Sequence, residues 1–423
     1  MNSRERVLAT INHRMPDRVP FDIGATNATG ISVHSLYRLR KELGQESHIL
    51  TMHDPYQVMG LVEHDALTAI GADCVGLWPR ATLFGYKNED WKKWTFPDGT
   101  DVLVGRDFVT TCDDDGNTYV YPGGDTSDGP SGVLPKGGYY FDAITRQGVV
   151  DESDLRPRDD FRDDYVVLTD EELRDQEEES RALFENTDFA VVSLLIPGSF
   201  NDFAHLPAPF LKEPRGVRNP VEWLEYHYTH PEYIKEVNDY QTEIALENLR
   251  LHHDAVGERV QVMVVSGADY GTQNGELQSP DMYREFIKPY QKRVNDWIHT
   301  HTSWKTFYHT CGSVVRLLDD FIEAGIDILN PVQTSARGMD PRFLKDTYGT
   351  RLVFWGGAVD VQKVLSSKDP ETVTLSVREN LDILSRGGGF VCAATHNIQA
   401  TTPVENIMAF ILAVREYMTV PET

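Results

Sequence analysis

The sequence predicts an α/β protein, a (β/α)8 TIM barrel with a β-rich insertion between its second and third strands. Eight short apolar runs read as strands, and most of them end in Gly, Pro, Asp or His, as strands that lead into loops do. A length of 423 residues suits one barrel with insertions, so we expect residues 1–423 to form a single unit. The eight runs are Val19–Gly24, Ala72–Trp78, Phe189–Pro197, Val260–Gly267, Lys305–Cys311, Ile326–Pro331, Leu352–Gly357 and Gly389–Thr395.

Stretches with helical periodicity lie between the later runs. The segment from Val373 to Leu384 is one, and it stops at Arg386-Gly387-Gly388. Because strands and helices then alternate strictly, the last three strands should pair in parallel through helical crossovers. A parallel barrel carries its chemistry at the C-terminal ends of its strands. A second helical stretch repeats apolar residues with the spacing of one helix face, at Val314, Leu317, Leu318, Phe321 and Ile322.

The segment 86–185 interrupts this alternation and is the predicted insertion. Turn signals such as Pro97-Asp98-Gly99 and Asp115-Gly116-Asn117 separate short alternating stretches, which is typical of antiparallel strands. An acidic stretch follows from Asp170 to Glu178, and its charge predicts a solvated helix. We expect the insertion to lie over the mouth or the edge of the barrel.

The composition excludes several classes of partner. The chain has 66 acidic and 40 basic residues and a formal charge of −26, which repels nucleic acid and anionic membranes. Its four cysteines are irregularly spaced and predict no disulfide framework. The N-terminus has no signal-peptide core, and no run approaches the roughly 18 apolar residues of a membrane span. We therefore expect a cytoplasmic protein with reduced thiols. Both a monomer and a homodimer are compatible with the sequence.

The fifth run ends in His309-Thr310-Cys311, which predicts metal binding. Residues i and i+2 of a strand point to one side, and imidazole and thiolate are good zinc ligands. The eighth run offers Cys392 and His396, which share strand parity and lie about 13 Å apart. Only one of them can lie level with the other two ligands. His396 is the preferred third ligand and Cys392, lower in the barrel, is the alternative, leaving one metal position open.

Other polar side chains follow the strand ends, where barrel enzymes place functional groups. Asp269 and Glu276 come after the fourth strand and are the candidate catalytic carboxylates. The alternative for Asp269 is a structural cap of the turn that follows it. The candidate substrate contacts are Asn27, Trp78, Gln273, Gln333 and Asn397.

Short motifs along nearly the whole chain point to a known family. They are Ser3-Arg4-Glu5-Arg6-Val7, Pro16-Asp17-Arg18-Val19-Pro20, Asp269-Tyr270-Gly271-Thr272-Gln273, His309-Thr310-Cys311-Gly312, Trp355-Gly356-Gly357 and Thr402-Pro403-Val404-Glu405-Asn406-Ile407. With these motifs the chain resembles the uroporphyrinogen decarboxylase superfamily. The His-x-Cys-Gly motif resembles more specifically its zinc-dependent branch, the methylcobalamin:coenzyme M methyltransferases and related corrinoid-linked demethylases.

The chain departs from the decarboxylases at their substrate-binding positions. Those enzymes carry an Arg-Gln-Ala-Gly-Arg segment after the first strand, whereas Phe21 to Asn27 contains no arginine here. Their pyrrole-binding Asp is replaced near Trp78-Pro79, and their third-strand Tyr falls among Leu194 and Leu195. Because a tetrapyrrole with many carboxylates would meet an acidic mouth, we do not expect porphyrin decarboxylation.

The resemblance implies a metal-dependent methyltransferase that uses zinc as a Lewis acid. The third zinc ligand of those methyltransferases is a Cys six residues before the Thr of the closing Thr-Pro motif, and counting back from Thr402 gives His396. Asp269 or Glu276 would be a fourth ligand or a proton relay. The substrate would be a small-molecule methyl donor or acceptor. Methylcobalamin would reside on a separate corrinoid protein, because nothing in the chain resembles a corrinoid-binding domain.

Two other functions remain open at this point. The first is a decarboxylase or lyase that acts on a small acid in the same pocket without cobalamin. The second is a non-catalytic corrinoid- or ligand-binding protein in which the metal is structural.

Overall fold

Seven of the eight predicted strands pair into one parallel sheet in the computed structural model, which describes residues 1–419. The strands are β1 Met52–Asp54, β2 Met59–Gly60, β3 Cys74–Leu77, β4 Lys92–Thr95, β5 Asp101–Val104, β6 Thr110–Cys112, β7 Thr118–Val120, β8 Gly132–Leu134, β9 Asp142–Ala143, β10 Ala190–Ser193, β11 Val262–Ser266, β12 Lys305–His309, β13 Ile328–Asn330, β14 Val353–Trp355 and β15 Phe390–Val391. In the large sheet β3, β10, β11, β12, β13, β14 and β15 are neighbours in that order. The parallel pairing predicted from the alternating elements is confirmed.

Helices connect the strands of the large sheet. They are α1 Ser3–Ile11, α2 Val33–Glu42, α3 His64–Ile70, α4 Pro157–Asp160, α5 Asp170–Asn186, α6 Pro220–Thr229, α7 Pro231–Val256, α8 Pro280–Phe286, α9 Lys288–His301, α10 Leu318–Glu323, α11 Pro341–Tyr348, α12 Pro370–Leu384 and α13 Val404–Thr419. Among residues 1–419, none of these helices combines the length and the apolar composition that crossing a membrane requires.

The predicted first strand, Val19–Gly24, is wrong as a strand and is reduced to one bridge. Phe21 pairs in parallel with Cys392 beside β15, and the Asp73 N–H beside β3 donates to Phe21 O at 2.7 Å. The segment thus contacts both edges of the curled sheet, as a TIM-like fold requires. It cannot extend its ladder because Pro20 has no N–H to give, and the Phe21 N–H is taken by the Asp73 carboxylate at 2.9 Å.

The sheet separates two apolar clusters. Val262 and Val264 of β11 lie in the inner cluster together with Phe307 of β12, whereas Met263 and Val265 lie in the outer cluster against the helices. This alternation is the two-residue period of a strand with both faces buried. This alternation determines which side chains of each strand point to the inner face of the curved sheet.

Antiparallel strands fill the chain between β3 and β10, where the β-rich insertion is predicted. β4 pairs with β5, and β6 to β9 form a four-stranded sheet. The acidic stretch is a helix, α5, which begins with a capping box between Thr169 and Glu172. Gln176 of this helix donates to Trp78 O at 3.0 Å and so joins the insertion to the end of β3.

Candidate metal centre

His309, Cys311 and His396 converge beyond the C-terminal ends of β12 and β15. One ligand atom from each lies within 4.8 Å of the others. His309 Nε2 is 3.4 Å from Cys311 Sγ, and the two imidazole centroids are 5.3 Å apart. Zinc bonds nitrogen and thiolate at about 2.0–2.3 Å in a tetrahedron, so small side-chain rotations would bring three such atoms into bonding distance. The donor set and its spacing fit a three-ligand site.

Cys392 lies on the other face of the sheet. Its side chain is fully buried in the outer cluster, whereas its neighbours Val391 and Ala393 lie in the inner cluster. The expectation that Cys392 faces the barrel interior is therefore wrong. His396 reaches the site despite the same parity because β15 ends at Val391, and the chain beyond it no longer alternates as a strand.

A buried amide orients His309. Asn330 Nδ2 donates to Trp355 O at 2.8 Å, which leaves Asn330 Oδ1 to face His309 Nδ1 at 2.6 Å. Since Oδ1 can only accept, Nδ1 carries the proton and the lone pair lies on Nε2, toward Cys311. Such partners of metal-binding histidines fix the tautomer and the ring orientation. Asn330 lies at a predicted strand end, but the pattern alone gave it no role.

Asp269 contacts two of the three candidate ligands. Its Oδ1 accepts the Cys311 N–H at 2.6 Å and lies 3.7 Å from His309 Nε2, while its side chain is 51% exposed. Burial, and after it the charge of Asp269, raise the pKa of the Cys311 thiol well above its ordinary value. A thiol in such surroundings becomes a thiolate only beside a cation. Burial also lowers the pKa of His396 to about 4, which keeps its imidazole neutral.

A cavity of about 700 Å³ opens beside Cys311 and His396. Two of the predicted substrate contacts, Gln273 and Gln333, line it, and Gln333 Oε1 accepts the Gly312 N–H at 2.7 Å. The insertion contributes an aromatic part of the lining, Tyr139 and Tyr140, and Asp360 and Gln362 line the cavity as well. The insertion is expected near the barrel mouth, but these two tyrosines carry no signal in the sequence that places them there.

The remaining predicted contacts, Asn27, Trp78 and Asn397, do not line this cavity, and Trp78 lines a different one. Asn27 donates to Asp54, and Asn397 donates to Asn27 O at 3.3 Å. The Trp78 ring packs against His53 with centroids 4.2 Å apart. They hold together the loops beyond the strands, and their part in substrate binding stays a prediction.

The Glu276 carboxylate faces Arg316. It accepts the backbone N–H of Arg316 at 3.1 Å and pairs with its guanidinium at 3.3 Å, with only 4% of the side chain exposed. This arrangement holds the loop after β11 against the helical turn Val315–Leu317 that precedes α10. A catalytic role for Glu276 stays a prediction.

Comparison with known proteins gives a family and a fold. Residues 208–417 match the family model for uroporphyrinogen decarboxylase (URO-D). The structure of a methyltransferase from Methanosarcina mazei is similar, with a TM-score of 0.57 and 15% sequence identity over 99% of each chain. At this identity the likeness shows the fold alone. No curated protein sequence matches the chain.

Proposed function

We propose that the chain, whose residues 208–417 match the family model for uroporphyrinogen decarboxylase, is a zinc-dependent methyltransferase of corrinoid-linked methyl metabolism. The observation that carries the proposal is the cluster of His309, Cys311 and His396 at the end of the sheet, beside a cavity open to a small molecule. A methyl group would pass between that molecule and cobalamin on a separate corrinoid protein.

Zinc bound by these three side chains would supply a Lewis acid that favours the thiolate of an acceptor or polarises a leaving oxygen. The protein's own contribution is orientation and proton handling. Asn330 keeps His309 Nε2 unprotonated and directed at the cluster, and Asp269 Oδ1 holds the Cys311 backbone. The half-exposed Asp269 carboxylate would take the proton of an incoming thiol and release it to solvent.

Porphyrin decarboxylation is not part of this proposal. Uroporphyrinogen carries many carboxylates, which need cationic partners in the pocket. The residues that line the cavity within the described part of the chain include no lysine or arginine. We expect no coproporphyrinogen to form when uroporphyrinogen is supplied, and formation at a decarboxylase-like rate would contradict the proposed reaction.

The test combines metal analysis with a methyl-transfer assay. The zinc-loaded protein is mixed with methylcobalamin and a panel of thiols, and demethylation is followed by the change in cobalamin absorbance. We expect zinc at one equivalent per chain and thiol-dependent demethylation. Cys311→Ala should lose both, while Cys112→Ala, which removes an exposed thiol in the insertion, should keep both.

Two results would contradict the proposal. Stoichiometric zinc in Cys311→Ala would refute the ligand assignment. Methyl transfer would be refuted if the protein binds zinc but no thiol demethylates methylcobalamin and, in the reverse direction, no methoxy-aromatic donor methylates cobalamin.

A further inference from the structure

The cavity beside the metal ligands is anionic and aromatic, and we propose that it takes a small substrate whose non-reacting end is a cation, such as an ammonium group. This inference rests on the proposed function, since it names the class of methyl donor or acceptor. It comes from three features of the structure: an aromatic wall, a buried carboxylate and a second carboxylate beside Cys311.

The aromatic wall comes from the insertion. Tyr139 and Tyr140 both line the cavity, which also contains Cys311 and His396. The Tyr139 ring packs edge-to-face on His34, with centroids 5.2 Å apart at 79°, so its position is fixed by a buried neighbour. Tyrosine faces attract cations within about 6 Å of the ring centroid, and quaternary ammonium groups bind in this way.

The buried carboxylate belongs to Asp360, which is 6% exposed and lines the same cavity. Its Oδ1 accepts the backbone N–H groups of Gln362 and Lys363 at 2.8 and 2.7 Å, which caps the helical turn Val361–Leu365. Within residues 1–419, no lysine, arginine or histidine nitrogen pairs with this carboxylate. The carboxylate thus has backbone donors but no cationic partner, and a ligand ammonium group would supply one.

A second carboxylate lies beside the cavity. Asp269 is half exposed, and its Oδ1 accepts the backbone N–H of Cys311, a lining residue, at 2.6 Å. Three arginines lie near the cavity, and none of them belongs to its lining. Arg316 is paired with Glu276, Arg337 is exposed, and the exposed Arg38 donates to the carbonyls of Ala400 and Thr402. The two carboxylates would therefore repel an anionic substrate in the cavity.

A matched set of thiols tests the charge preference. 2-Aminoethanethiol, 2-mercaptoethanol and 2-mercaptoethanesulfonate share the reacting end and differ at the other end as cation, neutral group and anion. Calorimetric titration of the zinc-loaded protein should give a dissociation constant at least about tenfold lower for the ammonium thiol than for the sulfonate, with the neutral thiol between them. Equal affinities for the cation and the neutral thiol, or tighter binding of the sulfonate, would overturn the inference.

Two carboxylate variants test whether Asp360 causes the preference for the cationic thiol. Asp360→Asn keeps the acceptor that caps the following turn and removes the charge, so the ratio between ammonium and sulfonate affinities should fall by about threefold or more. Asp369→Asn is the control, because Asp369 also caps a helix through its Oδ1, at 3.0 Å from Thr372 N, but lies outside the cavity lining. A ratio that stays unchanged in Asp360→Asn, or that falls equally in both variants, would contradict the role of Asp360.

Probes without a thiol separate this inference from the proposed function. Tetramethylammonium chloride and sodium methanesulfonate need neither metal nor methyl transfer for binding. In metal-free protein, tetramethylammonium at tens of millimolar should raise the unfolding temperature above that in equal sodium chloride, and methanesulfonate should not. Cation stabilisation in a protein that binds no zinc would leave the inference standing and refute the metal-dependent function alone. Stabilisation by the sulfonate, or by neither probe, would overturn the inference while leaving the zinc and methyl-transfer tests unaffected.

Discussion

The buried amide of Asn330 determines which nitrogen of His309 is free for a metal. Its Nδ2 is anchored on the Trp355 carbonyl, so the amide cannot turn over without placing its oxygen against another oxygen. The Trp355 indole in turn donates to Asp22 Oδ2 at 2.9 Å. The orientation of one candidate ligand therefore depends on a chain of hydrogen bonds that extends into the inner cluster of the sheet.

We expect Asn330→Leu to weaken zinc binding by about 10–100-fold, the range typical of removing such a partner. The reason is that Nδ1 loses its acceptor and the imidazole can adopt either tautomer. Asn295→Leu is the control, because it removes an equally buried asparagine on the outer face, where Asn295 Oδ1 accepts from Tyr308. Zinc affinity is measured by competition with a chelator, and each variant is checked by its unfolding temperature. Equal losses of affinity in both variants would mean that Asn330 acts only through general stability.

How far the sequence predicts the candidate site depends on whether each side chain lies within a strand. His309 and Cys311 could be placed together because they close a strand whose i, i+2 period is fixed by the pleat. His396 could be preferred because it ends its run, level with the other two ligands, and the motif count agrees with that choice. The parity that it shares with Cys392 fails once β15 has ended, and this failure put Cys392 on the wrong face. Tyr139 could not be predicted, because its contact with the cavity is a tertiary contact between an insertion and a distant loop.

One carboxylate adds to the backbone hydrogen bonds that hold the N-terminal segment between β15 and β3. Asp73, which is fully buried, accepts from Arg6 at 2.7 Å, from Arg18 at 2.7 and 2.9 Å, and from the Phe21 N–H at 2.9 Å. Two guanidinium groups and one backbone donor thus share a single carboxylate. The strand that the apolar run at Val19–Gly24 predicts is replaced by a segment with three backbone hydrogen bonds and this carboxylate cluster, and a sequence pattern cannot distinguish these two ways of closing a sheet.

We expect Asp73→Ala to lower the free energy of unfolding by about 3–5 kcal/mol, since it leaves Arg18 without a carboxylate partner and the buried Arg6 with only the exposed Asp17. Asp17→Ala should cost about 1 kcal/mol or less, because Asp17 is 40% exposed although it also pairs with Arg6. Urea unfolding followed by circular dichroism measures both. Similar losses for the two variants would show that the segment is not held by Asp73.

Across the fold, buried neutral histidines make stability depend on pH. Burial lowers the pKa of His53 to about 3 and that of His252 to about 4, from an ordinary value of 6.5. As the pH falls below 6.5, these histidines therefore become protonated in the unfolded chain but stay neutral in the folded chain. Their contribution to the free energy of unfolding is fully present above pH 6.5 and is lost progressively toward pH 4 and below. The loss is about 1.4 kcal/mol for each unit by which the pKa of a histidine differs between the folded and the unfolded chain.

We expect the free energy of unfolding to fall by several kcal/mol between pH 6.5 and 4, and His252→Gln to reduce that fall. Glutamine can keep a hydrogen bond to Ser193, which His252 contacts at 2.9 Å, but it does not titrate. The control is His301→Gln, an exposed ring whose curve should run parallel to that of the unchanged protein. Urea unfolding at four pH values gives the curves, and a His252→Gln curve as steep as the original would assign the acid sensitivity to other groups.

The tyrosine wall has a consequence for how the protein could be redesigned. The candidate metal ligands come from the ends of β12 and β15, whereas the aromatic wall comes from residues 139–140 of the insertion. The proposed reactive centre and the aromatic part of the proposed ligand site therefore come from separate stretches of the chain, far apart in sequence. Exchanging residues 136–140, which end before the fully buried Phe141, should change the aromatic wall and leave the candidate metal ligands in place. A library of variants in this one loop would therefore be a small library with which to change the ligand specificity.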